Sequence, residues 1–170
     1  MGSVAIREAV LDDAPAIAEV HVASWRWAYR GQLPDETLAA LDVAEREVRW
    51  REVIPEPTTI VLVAVDDGSV VGFVSAGPTD DDDDPPRSGE LSALYLEQRA
   101  VGRGVGRGLL ERAVEAMRSA GFDRGSLWVL DSNVRARRFY ERAGWAWDGK
   151  PSSHQVQCSN MPVVRYTRDI

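Results

Sequence analysis

The stretch Val101-Gly102-Arg103-Gly104-Val105-Gly106-Arg107-Gly108 limits what this chain can fold into more than any other. It stands between a β-type run, Glu90 to Leu96, and a helical pattern carrying Leu109, Leu110, Ala113, Val114 and Met117. A glycine turn that feeds a helix aims backbone N–H groups outward and lets a ligand approach closely. The helix N-terminus adds partial positive charge, so phosphate binds well there. Arg99, Arg103, Arg107 and Arg112 offer charge-assisted contacts around it. A Walker loop is excluded, because no Gly-Lys followed by Ser or Thr occurs. The dinucleotide fingerprint fails too, since its last glycine falls on Arg107 or Leu109. A disordered RNA-binding segment is disfavoured because Val105, Leu109 and Leu110 imply a packed helix. A tight turn without a ligand is the plain alternative.

Around this turn the pattern predicts a strand at Val4–Arg7 and a helix from Pro15 to about Tyr29, with Asp12 or Asp13 as its cap and Gly31 as its stop. A short helix follows at Pro34–Leu41, and another from Asp42, capped with Glu45, to Val53. Thr59–Val65 and Val70–Ala76 read as strands joined by a turn at Asp66–Ser69. Gly77–Gly89 reads as a loop, Ser126–Leu130 as a strand, and Val134–Arg142 as a helix capped by Asn133 and stopped by Gly144. Trp145–Trp147 and Val163–Thr167 read as the last strands. The expected fold is α/β (α+β): one mixed, mostly antiparallel sheet flanked by helices, a single domain over residues 1–170.

Cys158 is the only cysteine, and His21 and His154 are far apart. A disulfide framework is excluded and no metal site is expected. Cys158 reads as structural, and His21 as a packed helix residue. No apolar run approaches ~20 residues and no signal peptide is visible, so a cytoplasmic protein is expected, with no membrane partner. The net charge of −7 argues against nucleic acid as a partner. Five of the acids form the run Asp80–Asp84, which reads as a solvated, mutually repelling loop, with attraction of cationic amines as the alternative.

Leu94-Tyr95-Leu96, then Gly102-Arg103-Gly104-Val105-Gly106 and Leu109-Leu110, followed by Asn133, Ala136, Phe139-Tyr140 and Gly144-Trp145, resemble the two signatures of the GNAT superfamily of acyl-CoA-dependent N-acyltransferases. Ser24-Trp25, Tyr29-Arg30-Gly31 and Leu33-Pro34 resemble a common bacterial branch of it. The resemblance spans almost the whole chain. It implies acetyl transfer from acetyl-CoA to a primary amine, by direct attack, with no metal. Leu94, Tyr95, Leu96, Val101, Gly102, Arg103, Gly104, Val105, Gly106, Arg107, Asn133, Ala136, Phe139 and Tyr140 are then expected at the cofactor. Val101 departs from the Gln or Arg usual at its position, which implies altered rather than abolished affinity.

The resemblance also implies that strand Glu90–Leu96 splays from Ser126–Leu130 to admit the pantetheine arm. Leu94 N–H becomes a candidate oxyanion donor. Tyr140 matches the tyrosine that protonates the leaving thiolate, and Glu90 a position where some members carry the general base. Trp25 and Tyr29 lie where the family borders its acceptor pocket, although aromatic burial alone also explains them. A small-molecule amine is the expected acceptor. A protein N-terminus or lysine is the alternative, and an acyl-CoA-binding module without turnover is a third. A homodimer is plausible by resemblance.

Overall fold

The computed structural model describes residues 3–156 and 159–170. One seven-stranded sheet runs in the order β1-β2-β3-β4-β5-β7-β6. Its strands are β1 (Ala5–Glu8), β2 (Ile60–Asp66), β3 (Ser69–Pro78), β4 (Ser88–Leu96), β5 (Arg124–Leu130), β6 (Ala146–Val156) and β7 (Ser159–Asp169). The helices are α1 (Ala14–Ala28), α2 (Asp35–Ala39), α3 (Val43–Val53), α4 (Val105–Ser119) and α5 (Val134–Arg142). Every strand pair is antiparallel except β4 with β5.

Two apolar layers sandwich the sheet. On one face α1 and Trp50 of α3 pack on Val61, Val63 and Phe73. On the other, Leu109, Leu110, Ala113 and Val114 of α4, with Tyr140 of α5, pack on Val71, Val74, Leu91, Leu127 and Val164. Leu109 and Leu110 are at most 1% exposed. Each such side chain contributes ~1.5–3 kcal/mol by leaving water, so this helical stripe fixes α4 firmly.

Local chemistry explains most boundaries. Asp67 and Gly68 both take positive φ (48° and 78°), the geometry of the two-residue hairpin turn expected there. Asp42 caps α3 by accepting the Glu45 N–H at 2.9 Å. Asp13 precedes α1 but does not cap it with its side chain. Its carboxylate instead accepts the Val10 N–H and a two-pronged Arg7 contact at 2.7 and 2.9 Å. The fork geometry of a guanidinium outcompetes a single capping bond.

The last hairpin is much longer than Trp145–Trp147 and Val163–Thr167 suggest. Its register shifts between Trp147 and Pro151, with Gly149 at φ 82°. A bulge of this kind breaks the alternation by which strands are read. β4 and β5 each begin two residues earlier than expected, and these added residues form the parallel contact between them. Cys158 lies outside the described residues, and so does the His154 side chain.

Candidate active site

The site begins as a fork in the sheet. β4 and β5 pair only over Ser88–Glu90 and Arg124–Ser126, and beyond Glu90 no pairing joins them. A bulge at Ser92 bends β4 there: Ser75 pairs with Ala93, and Ala76 with Leu91. Further along, Glu97 N–H bonds the Val71 carbonyl at 2.9 Å. In an antiparallel ladder successive residues turn their polar groups to alternate edges. Tyr95 therefore spends its backbone groups on β3, whereas Leu94 and Leu96 turn theirs toward the gap. This is an unpaired strand edge inside a folded protein, ready to bond an extended ligand.

The glycine turn closes one end of the fork. Gly102 and Gly104 adopt φ of 80° and 82°. No atom lies within 4 Å of where a Cβ would stand on either. Gly104 occupies the N-cap of α4 and no side chain caps that helix. The first N–H groups of α4 are thus left for a ligand, and the helix dipole adds to them. Gly106 serves packing instead: a Cβ there would meet Leu96 at 3.1 Å and Phe139 at 3.7 Å. The arginines are less free than the sequence suggests. Arg103 pairs with the buried Asp66 at 2.7 Å, Arg99 with Glu97 at 2.5 Å, Arg107 with Glu111 at 2.8 Å and Arg112 with Glu115 at 3.8 Å. The unencumbered donors are the backbone ones. Val101 leads into the turn in extended conformation and is half-buried.

The opposite wall is α5. Asn133 caps it, accepting the Ala136 N–H at 3.1 Å. At its other end Trp145 N–H bonds the Tyr140 carbonyl and Gly144 N–H bonds the Glu141 carbonyl, with Gly144 at φ 85°. That paired cap requires the left-handed residue and anchors Tyr140 and Trp145 to each other. Gly125 leaves the space that Trp145 fills, since a Cβ there would stand 2.7 Å from its ring. Tyr140 is buried between Phe139 and Trp145. Burial, and secondarily the nearby Tyr95, push its pKa well above the ordinary tyrosine value, so it keeps its proton at neutral pH.

Across the fork stands an aromatic wall. The His21 ring stacks on Tyr95 at 5.1 Å and tilts against Trp25 and Phe73. Trp25 meets Tyr29 edge-on at 5.1 Å. Trp50 donates its indole N–H to His21 Nδ1 at 3.2 Å. Burial, with help from Arg46, lowers the His21 pKa to about 4, so His21 is neutral at pH 7. Burial and the hydroxyls of Tyr95 and Tyr140 raise the Tyr29 pKa, so these three phenols converge on one region. The Tyr95 ring belongs to this wall.

Glu90 lies at the root of the fork, beside Ser126 on β5 and Gly77 on β3. Burial first, then the charges of Asp81, Asp80 and Asp84, raise its pKa from 4.5 to about 7. Those charges correct the picture of a solvated aspartate loop. Arg165 is only 7% exposed and holds Asp148 at 2.6 Å, Asp83 and Asp84 at 3.3 Å, and Asp81 at 3.5 Å. Trp128 Nε1–H bonds Asp81 at 2.8 Å and the Ser126 hydroxyl bonds Asp84 at 3.0 Å. Lys150 pairs with Asp83 as well. A buried guanidinium cannot lose its charge, so it gathers carboxylates, and their mutual repulsion is offset. Arg165 and Trp128 escaped sequence reasoning. The available signal was a cation at the buried-strand position between Val164 and Tyr166.

The sequence profile of the acetyltransferase (GNAT) family matches residues 17–145, and the chain belongs to that family. It is an N-acetyltransferase with acetyl-CoA as its co-substrate. An uncharacterized N-acetyltransferase of Bacillus subtilis, YuaI, is 38% identical over 131 residues, covering 76% of this chain and 73% of that protein. The mycothiol acetyltransferase of Beutenbergia cavernae is 34% identical over 107 residues, covering 62% of this chain but only 34% of that one. Among solved structures, the PaiA N-acetyltransferase of Thermoplasma acidophilum in complex with coenzyme A superposes with a TM-score of 0.78 at 21% identity, covering 99% of each chain. The ribosomal-protein-alanine N-acetyltransferase of Brucella melitensis gives 0.77 at 25% identity, covering 98% of this chain and 99% of that one. Among the described residues no helix is long and apolar enough to cross a membrane, and no His, Cys, Asp and Glu cluster could hold a metal ion.

Proposed function

We propose that the protein transfers the acetyl group of acetyl-CoA directly to the primary amine of a small molecule. The observation that carries this reading is the fork itself: its β4 edge is unpaired beyond Glu90, a carboxylate with a raised pKa stands at its root, and the protonated Tyr140 stands on its α5 wall. The residues present suit the co-substrate. The open glycines and uncapped α4 suit the pyrophosphate, and the Leu94 and Leu96 backbone suits the amide-bearing arm. Asn133, Ala136 and Phe139 flank it from α5.

In this reading Glu90, directly or through water, takes the proton of the amine as its nitrogen bonds the acetyl carbon. A base with a pKa near neutrality is ionised often enough at pH 7 to do so. Leu94 N–H stabilises the negative charge that grows on the carbonyl oxygen. Tyr140 gives its proton to sulfur as the C–S bond breaks, and the thiol leaves neutral. Trp25, Tyr29 and Tyr95 form the apolar side of the acceptor pocket. The likeness of part of the chain to mycothiol acetyltransferases supports a small acceptor.

A peptide N-terminus is the second reading. It is favoured by a shallow, open depression of about 680 Å³ beside α1, lined by Ala23, Arg26, Trp27, Arg30 and Glu97–Arg99. The test is CoA release with a panel of small primary amines against a panel of short peptides. Turnover with small amines alone supports the first reading, and turnover with peptides alone replaces it by the second.

A further inference from the structure

The aspartate loop covers the part of the sheet around Glu90, Ser126 and Trp128. Glu90, Ser126 and Thr167 sit side by side across β4, β5 and β7, and Trp128 and Arg165 form the next row. These residues share one face of the sheet. Further along that face, over β2–β4, α1 and α3 provide the cover. Here it is residues 79–87, tied down by side chains. Asp84 bonds the Ser126 hydroxyl, next to Glu90, and also accepts the Thr79 hydroxyl at 3.0 Å. Its side chain is fully buried. Asp81 is held by the Trp128 indole one row away. The Arg165 guanidinium lies 5.7 Å from the Trp128 ring centroid and clamps both aspartates from beneath.

We propose that Arg165 and the aspartate loop form a positioning device for the acceptor side: Arg165 pins Asp81 and Asp84 at the root of the fork, so that fixed negative charge always faces Glu90. Arg165 is a positioning residue and touches no reacting atom. The device does two things for amine chemistry. It keeps the Glu90 carboxylate hungry for a proton, and it makes the root of the fork attractive to an ammonium ion. An unanchored run of aspartates would do neither, because it would swing into water and be screened.

The charged groups facing Glu90 come from three elements. The loop supplies Asp80, Asp81 and Asp84. β7 supplies Arg165, which Asp148 of β6 also engages. On β5, Arg124 stands two residues before Ser126 on the same face, its Nε buried without a hydrogen bond. Ser126, Thr167 and Gly77 are uncharged. Arg165 spends its donors on carboxylates.

The proposal rests on the reading of Glu90 as the proton acceptor. Its test needs no acceptor substrate. The Glu90 side-chain carboxyl is followed against pH by 13C NMR in glutamate-labelled protein, assigned by its loss in Glu90→Gln. Asp81→Asn keeps an oxygen for the Trp128 indole and removes only charge. Arg165→Lys keeps the charge but cannot span several carboxylates. The Glu90 midpoint is expected near pH 7 in the wild type and lower by about half a unit or more in both variants. A midpoint that stays in place in either folded variant overturns the proposal. Should Arg165→Lys fail to fold, as judged by circular dichroism, Asp81→Asn decides alone. The two readings fail separately: if the midpoints move as stated but Glu90→Gln leaves CoA release unchanged with an amine that the wild type acetylates, the device stands and Glu90 is not the base.

Discussion

The two sides of the fork are built from different material. On the side proposed for the co-substrate the groups open to a ligand are backbone ones: the first N–H groups of α4, and the N–H and C=O groups of Leu94 and Leu96. The arginines nearby are already paired with acids. On the acceptor side the groups are side chains, gathered from α1, α3, β4, β5, β7 and the aspartate loop. A backbone site tolerates substitution wherever backbone geometry survives. A side-chain site can change its ligand one residue at a time.

The largest expected difference between the sides is in stability. Arg165→Met strands several carboxylates in a buried site and should cost about 3–5 kcal/mol in urea unfolding. Arg107→Met, which breaks a pair whose two members are 74% and 61% exposed, should cost less than about 1 kcal/mol. Equal costs would erase the contrast. Next comes chemistry. Tyr140→Phe should lower turnover about a hundredfold while acetyl-CoA affinity changes less than about twofold. Unchanged turnover would remove Tyr140 from the mechanism.

Gly104→Val places a β-branched residue at φ 82° and should weaken acetyl-CoA binding about tenfold, read by calorimetry. Val101→Arg adds a free cation beside the turn and should tighten binding about threefold. The smallest effect concerns Glu90. In the folded state it holds its proton up to about pH 7 against an ordinary 4.5. Its contribution to stability is therefore complete below pH 4.5 and is lost as pH rises through 7. Glu90→Gln should raise Tm by about 2 °C at pH 8, allowing for its partial exposure, and leave it unchanged at pH 4. A gain at pH 4 would contradict the sign.

The same contrast decides what could be read from the sequence. Gly102, Gly104, Asn133 and Gly144 act through local backbone geometry, and local geometry leaves a mark at fixed spacing. The fold followed from such marks and from the apolar stripes of α4 and β2. The aspartate loop did not. Asp80–Asp84 reads as a solvated run until Arg165, some eighty residues later, is known to lie beneath it. Tyr95 illustrates the same limit. Its motif position points to the co-substrate, but strand alternation turns its ring to the aromatic wall. Register across the sheet decides such cases, and the Ser92 bulge resets that register.

The most direct test of a backbone-built co-substrate site is a calorimetric titration of acetyl-CoA into the wild type and into the Arg99→Gln/Arg107→Gln double variant. The division predicts micromolar binding in both, differing by less than about threefold, because the N–H groups of the turn carry the phosphates. No heat at millimolar acetyl-CoA in the wild type, or loss of binding in the double variant, would contradict it.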